Sequence, residues 1–385
     1  MNPNNYLADP LKYLEQIARP DNLRKNLELE YLEFSLKNIN KILVVGASPE
    51  CARLISICKE LNIEIIDVFD SNNLRVNEKF CNFLIKRLSD IEMYDHSIPI
   101  LIASHKPMDS IDYLRSLNRK HVAPFALMQI LYPNDFSPHM FYRGWLDDLT
   151  FNLHHYSNLR NNLLTDDKSK LVLDSILRFR ISLNFDYIRQ LIDLDAYLSK
   201  DIVWFEKNGT YIDGGAFDGD TIKKYDTVSS NSAKKIIAFE PDPKTFLRLS
   251  ANFKDDPRVL LINKGLYSQS KTLLFSNEAS RASLFSESGG IEIPVTTIDE
   301  ILINDPVSFI KLNIEGSEIE ALKGGRKSIE AYTPILAISA YHSPDHLWKI
   351  AELIDSFSLN YQFFLRQQDT GFVETVLYAT PSLKN

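Results

Sequence analysis

The stretch YIDGGAFDGDT, residues 211–221, gathers three of the chain's 13 glycines, Gly214, Gly215 and Gly219, among Asp213, Asp218, Asp220 and Thr221. Tyr211-Ile212-Asp213 reads as the end of a β-strand. The glycines read as a turn, and a helix opens near Asp220 or Thr221. A backbone without Cβ atoms lets a ligand approach closely, and the N–H groups of the helix start face the same ligand.

Working outward from this turn, strand signals recur at KIIAFE (235–240), VLLINKG (259–265), FIKLNIE (309–315) and ILAISAYH (335–342). The segments between them leave room for crossover helices. One is PDHLWKIAELIDSFS, with Leu347, Ile350, Ile354 and Phe357 on one apolar stripe. NYQFFLRQ and GFVETVLYA close the chain as a hairpin across the polar turn QDTG. A parallel sheet that ends in an antiparallel hairpin is the usual order of one large class of methyltransferase domain. The expected fold is α/β: a C-terminal Rossmann-like class I methyltransferase sheet, a smaller N-terminal Rossmann-like domain and a helical connector.

Charge discriminates among the ligands such a loop can hold. Carboxylates at Asp213, Asp218 and Asp220 repel a pyrophosphate and suit a cation. S-adenosylmethionine, a sulfonium with a free α-amino group, fits. The spacing Asp213-x-Gly215-x-x-x-Gly219 is the loop expected for it. An ordinary loop with Asp220 as helix cap is the plain alternative. KIIAFEPDP ends its strand at Glu240, followed by Pro241, where an acid can bind both ribose hydroxyls of an adenosine. The next strand end, Asn263-Lys264-Gly265-Leu266, would border the adenine. The cofactor-binding set is therefore Asp213, Gly214, Gly215, Ala216, Gly219, Asp220, Thr221, Glu240, Pro241, Gly265 and Leu266.

With these elements in place, the chain resembles the FkbM family of S-adenosylmethionine-dependent methyltransferases over about residues 209–380. FIKLNIEGSEIEALKGG (309–325) is similar to the family's F-I-K-x-D-x-E-G-x-E-x-x-x-L-x-G signature. DGGAFDGDT, FEPDP, VTTIDEIL (295–302) and ISAYHSPDHLWKI (338–350) follow in the family's order. The resemblance implies O-methylation of a sugar hydroxyl, in surface polysaccharide, a nucleotide sugar or a glycosylated metabolite. Asn313 departs from the family's Asp. An amide orients a hydroxyl but takes no proton and is a poor ligand for a hard cation. Whether a divalent metal is needed stays open, and no metal-binding residues are assigned.

Removing a proton from a sugar hydroxyl calls for a base. His342, at the open C-terminal edge of the sheet, is the candidate, against a structural histidine bonded to the backbone. Glu315 is expected to position the acceptor or serve as base, or only to charge the next helix start. Lys311, Asn313 and Glu315 share one strand face until the strand ends. Lys311 neutralises an acidic substrate there or pairs with a neighbouring carboxylate. SRASLFSESGG (280–290) is an acceptor loop or an ordinary surface loop.

Upstream, residues 1–38 read as leucine-rich helices and 39–130 as a small Rossmann-like α/β domain. In it, strand 41–46, helix 50–61 and strand 63–69 make a βαβ unit. This domain is similar to one that precedes some bacterial sugar-modifying enzymes. It has only Gly46 in place of G-x-G-x-x-G, so dinucleotide binding is not expected. Residues 131–207 read as a helical connector and 208–385 as the FkbM-like domain.

A formal charge of −8 argues against nucleic acid as the main partner. No run approaches a membrane span. Three cysteines, Cys51, Cys58 and Cys81, make no disulfide framework. The expectation is a reduced, cytoplasmic, bacterial-type protein with a sugar or glycan acceptor, and a homo-oligomer is left open. His139, His154 and His155 suggest no role, and no spacing suggests a structural zinc site. Two other classes remain: a non-catalytic scaffold binding nucleotide or sugar, with Asn313 marking lost chemistry, and an NAD-dependent sugar enzyme.

Overall fold

A computed structural model of the chain describes residues 8–275, 291–303, 305–369, 371 and 374–382. The 280–290 loop lies outside the described residues. The chain divides into two compact units. The first holds residues 1–154, 174–190 and 370–373, and the second holds 155–173, 191–369 and 374–385. The helical stretch 131–207 is thus shared between the units. No described helix is long and apolar enough to cross a membrane.

In the first unit, helices Pro10–Ile17 and Pro20–Glu30 each begin with proline, whose fixed φ suits a first helical turn. A five-stranded, all-parallel sheet follows. Its strands are β1 (Lys41–Val45), β2 (Glu64–Asp70), β3 (Lys86–Arg87), β4 (Ile100–Ile102) and β5 (Val122–Pro124), in the order β3-β2-β1-β4-β5. The last four residues of β1 are all buried, as a strand covered on both faces requires. After β1 the chain turns through Gly46 at φ +98°, where an added Cβ would come 3.2 Å from the Ala103 carbonyl oxygen. The Asp70 carboxylate accepts from Ala47 N at 3.0 Å, and Ser48 Oγ donates to Ala103 O at 2.7 Å. Ser48 also caps helix Pro49–Glu60. The turn is tied by its own chain. His139, which suggests no role in the sequence, lies beside Glu50 and His105.

The second unit is built on β6 (Thr210–Gly214), β7 (Lys235–Phe239), β8 (Val259–Ile262), β9 (Gly265–Leu266), β10 (Lys271–Phe275), β11 (Ile291–Thr296), β12 (Phe309–Leu312), β13 (Ile335–Ser339), β14 (Tyr361–Gln367) and β15 (Thr375–Pro381). Its main sheet has the order β8-β7-β6-β12-β13-β15-β14. The first five strands run parallel, and β15 is antiparallel to both neighbours, which confirms the terminal hairpin. Strands β9, β11 and β10 form a separate sheet. VLLINKG therefore splits, because the chain leaves the main sheet at Asn263.

Below the main sheet, Tyr211 stacks on Tyr225 with ring centroids 4.4 Å apart, and Phe309 packs against both. Arg366, 1% exposed, pairs with Asp166 and Asp201 at 2.8 Å each and bonds Ser169 Oγ. This fixes the edge strand β14 to the end of helix Asp167–Ser182 that belongs to the same unit.

Candidate functional site

Strand order reverses between β6 and β12. The C-terminal ends of neighbouring strands flank a crevice there, the place where open α/β sheets bind ligands. The glycine turn lies after β6, Glu240 and Pro241 after β7, Asn313 and Glu315 after β12, and His342 after β13. Fold topology thus gathers the expected residues at one sheet edge.

The glycines have a specific local cause. Gly215 has φ +75°, and a Cβ there would sit 1.9 Å from the Asn313 carbonyl oxygen. Gly219 has φ +87°, and its Cβ would meet the Phe253 ring at 2.0 Å. A Cβ on Gly214 would press on Leu312 at 2.7 Å and Leu266 at 3.0 Å. The bareness that suggested room for a ligand is first a demand of the protein's own packing. Phe217, between these glycines, also has a positive φ, 52°.

Helix Asp220–Ser229 starts at Gly219, which has no side chain with which to cap it. Asp220 is the first helical residue and not the cap; its Oδ1 accepts from Thr221 N at 2.7 Å. An uncapped helix start and its positive dipole end remain beside the turn. Ala216 N donates back to Phe239 O at 2.9 Å and so holds the turn on β7.

Asp213 occupies a different place from the one its charge suggested. It is fully buried, with Lys311 Nζ at 2.8 Å and Tyr211 Oη at 2.9 Å. Lys311, also buried, donates further to the carbonyls of Gly214 at 3.2 Å and Gly215 at 2.7 Å. Of the turn's three carboxylates, Asp213 is thus paired within the protein, and Asp218 and Asp220 remain. Lys311 is correspondingly occupied by the loop and not directed at an acidic substrate.

Glu240 joins the two turns. Its Oε2 accepts from Phe217 N at 3.0 Å and its Oε1 from Asp242 N at 2.9 Å. Burial raises its pKa above the ordinary value against the pull of those N–H groups. Each carboxylate oxygen retains a second lone pair, which a ribose hydroxyl can use. Asn263 Nδ2 donates to the carbonyls of Glu240 and Pro241 at 2.8 and 3.2 Å. Gly265 and Leu266 pair with Val295 and Thr296 in the smaller sheet, and Leu266 reaches back to Gly214. The uncapped helix start, the strand-end carboxylate and the switch-point position together fit an adenosine cofactor.

β12 stops at Leu312, so Asn313 and Glu315 lie on a turn and no longer share a strand face with Lys311. Glu315 is held at φ +54°, a left-handed conformation costly for a residue with a Cβ. Gly316 follows at φ +98°. Tyr341 Oη donates to Asn313 Oδ1 at 3.3 Å, which orients the amide.

The turn carries Glu315 to one side of His342 and Glu318 to the other. His342 Nδ1 is 2.9 Å from Glu318 Oε1, and its Nε2 is 3.6 Å from Glu315 Oε2. Glu318, fully buried, also accepts from Ile314 N at 2.8 Å and lies 3.6 Å from His346 Nδ1. Burial pushes the Glu318 carboxyl up, but His342, His346 and the Ile314 N–H bring it below its ordinary value. Burial pushes His342 down, but Glu318 and Glu315 bring it above its ordinary value. Burial dominates at His346, whose pKa falls. A buried acid orienting a histidine whose other nitrogen faces a half-exposed acid is an arrangement able to accept a proton.

A family model described as the methyltransferase FkbM domain matches residues 213–369. This part of the chain is an FkbM methyltransferase domain. Over 162 residues the chain is 26% identical to the hexuronic acid methyltransferase AglP of Haloferax volcanii, a match spanning 40% of this chain and 66% of that protein. The crystal structure of methyltransferase FkbM from Methylobacillus flagellatus KT has the same fold: TM-score 0.73 at 22% identity, covering 98% of this chain and 100% of that one.

The FkbM domain has functional candidates that the sequence did not disclose. Glu318 contacts both His342 and His346, Tyr341 holds the Asn313 amide, and only the fold brings them together. Glu318 had a signal, since it lies in the E-G-x-E stretch. His346 lies in the ISAYHSPDHLWKI stretch, on the helix that carries the apolar stripe.

Proposed function

We propose that the FkbM domain transfers a methyl group from S-adenosylmethionine to a sugar hydroxyl. The observation that carries this is His342, clamped between buried Glu318 and half-exposed Glu315 at the sheet edge that also holds Glu240 and the glycine turn. The adenosine would lie along the turn of Gly214, Gly215, Ala216 and Gly219, with its ribose hydroxyls on Glu240 and its base toward Pro241, Gly265 and Leu266. Bound S-adenosylmethionine supplies an electrophilic methyl group and leaves as the neutral thioether S-adenosylhomocysteine.

The chain's own residues do the rest. His342 accepts the hydroxyl proton at Nε2, and Glu318 balances the imidazolium through Nδ1. Glu315 holds the acceptor beside Nε2, and Asn313, fixed by Tyr341, orients a neighbouring hydroxyl. Lys311 and Asp213 hold the glycine turn in shape. The named activity of AglP, on a hexuronic acid, supports a sugar as the acceptor class.

The test is calorimetric titration of the purified chain with S-adenosylhomocysteine, followed by methylation assays on uronic and neutral sugars. One-to-one micromolar binding and incorporation of one methyl per acceptor are expected. Failure to bind the cofactor product would leave a non-catalytic scaffold.

A further inference from the structure

The first unit has its own switch point, between β1 and β4. Glu50 stands in the first turn of the helix that follows β1, and His105 follows β4. These positions flank the crevice where an open parallel sheet takes ligands. His139, at the start of the 3-10 turn Met140–Tyr142, joins them. One ligand atom from each of the three residues lies within 4.8 Å of the other two. We propose that Glu50, His105 and His139 form a binding site for a divalent transition-metal ion.

Three independent features support it. Glu50 is only 6% exposed; its Oε1 accepts from Arg53 Nη1 at 3.0 Å, while its buried Oε2 has no hydrogen-bond partner among the described residues. A buried carboxylate oxygen left unsatisfied is costly, and a cation at this point satisfies it. Second, His105 Nδ1 is bonded to Tyr142 Oη at 2.7 Å. With Nδ1–H donating to that hydroxyl oxygen, the Nε2 lone pair is left to ligate and the ring is held from its far side, as the outer-sphere partners of metal-bound histidines do. Third, the donor set is two imidazoles and one carboxylate. It suits zinc and its neighbours and leaves a coordination position for a small ligand. A hard cation such as magnesium would want oxygen donors instead.

The rings of His105 and His139 are 4.7 Å apart and sit against Phe141 and Tyr142. This aromatic surround limits water and strengthens the ion's hold on its carboxylate. Sequence spacing could not reveal the site, because its residues come from three separated segments and follow no ligand motif.

The experiment uses the full chain, stripped with chelator and titrated with Co²⁺, whose visible absorption reports coordination by few ligands. One Co²⁺ per chain, displaced by Zn²⁺, is expected. Glu50→Gln and His139→Gln should each weaken binding by about 100-fold or more, beyond the loss from removing an outer partner. Tyr142→Phe should weaken it by about 10-fold or more through the loosened His105 ring. No stoichiometric uptake by the stripped wild-type chain would overturn the proposal without recourse to any variant. Uptake unchanged in folded Glu50→Gln would overturn it as well, since the ion would then sit elsewhere.

Discussion

His342 Nδ1 lies 2.9 Å from Glu318 Oε1, and the two side chains are 1% and 0% exposed. Two charges this deeply buried attract strongly, but each has also lost its water. The pair persists because the Ile314 N–H and a second histidine share the carboxylate. Removing one partner leaves the other charge uncompensated. Glu318→Gln is therefore expected to cost about 3 kcal/mol or more in urea unfolding.

The pair also sets a pH window. His342 is raised in the fold, so its contribution is complete below the unfolded value of about 6.5 and lost as pH rises through the folded one. Glu318 is lowered, so its contribution is complete above the unfolded value of about 4.3 and lost as pH falls through the folded one. A double-mutant cycle with His342→Gln and Glu318→Gln should show stronger coupling at about pH 5.5 than at about pH 9. The cycle is needed because His346, lowered by burial, titrates in the opposite sense. For catalysis, the acid limb of methyl transfer should lie above an ordinary histidine's pKa and move to lower pH in Glu318→Gln. Equal coupling at both pH values would refute the charged pair.

Asp213 and Lys311 give a second prediction. Lys311→Met strands a fully buried carboxylate and should destabilise the domain by about 3–5 kcal/mol. Adding Asp213→Asn to it should restore much of that loss. Asp213→Ala alone should lose cofactor affinity only together with stability, since the carboxylate holds the turn and not the ligand. A well-folded Asp213→Ala protein with abolished S-adenosylhomocysteine binding would contradict this.

The glycine turn separates two kinds of obstacle. At Gly219 the new Cβ meets a side chain, the Phe253 ring; at Gly215 it meets the main chain of Asn313. Both positions have a positive φ, which alone costs about 1–3 kcal/mol for alanine. Phe253→Leu should partly rescue Gly219→Ala in thermal unfolding. No single side-chain substitution should rescue Gly215→Ala, because its obstacle is a carbonyl.

Much of this domain is legible in the chain itself. Period, turn residues and the terminal hairpin disclose the sheet, since each is a local property of strands and turns. The strand-end positions of Glu240, Asn313 and His342 follow from that sheet. What stays hidden is direction. The same aspartate can face a cofactor or a lysine, and Asp213 faces Lys311, 98 residues away. Likewise Glu50, His105 and His139 share no local pattern, and only the switch point of the first sheet brings them together. The end of β12 at Leu312 was equally unreadable, since Asn313 and Ile314 continue the alternation of a strand while Gly316 ends it.

That turn yields the last prediction. Glu315, the acid facing His342 Nε2, has a substantially exposed side chain, 37%, and is held at φ +54°. Glycine adopts this φ without strain, so Glu315→Gly should relieve up to about 1 kcal/mol of backbone cost. It also removes the partner of His342 Nε2 and the group proposed to place the acceptor. The expected outcome is a variant at least as stable in urea, with unchanged S-adenosylhomocysteine affinity and a sharply lower rate of methyl transfer. The two effects have opposite signs because strain at a working residue is retained for function and not for folding. If Glu315→Gly is stabilised and transfers methyl at the wild-type rate, Glu315 has no part in the chemistry and the acceptor must be placed by Asn313. If it is strongly destabilised, the 3.6 Å contact with His342 is worth more to the fold than the backbone strain costs it.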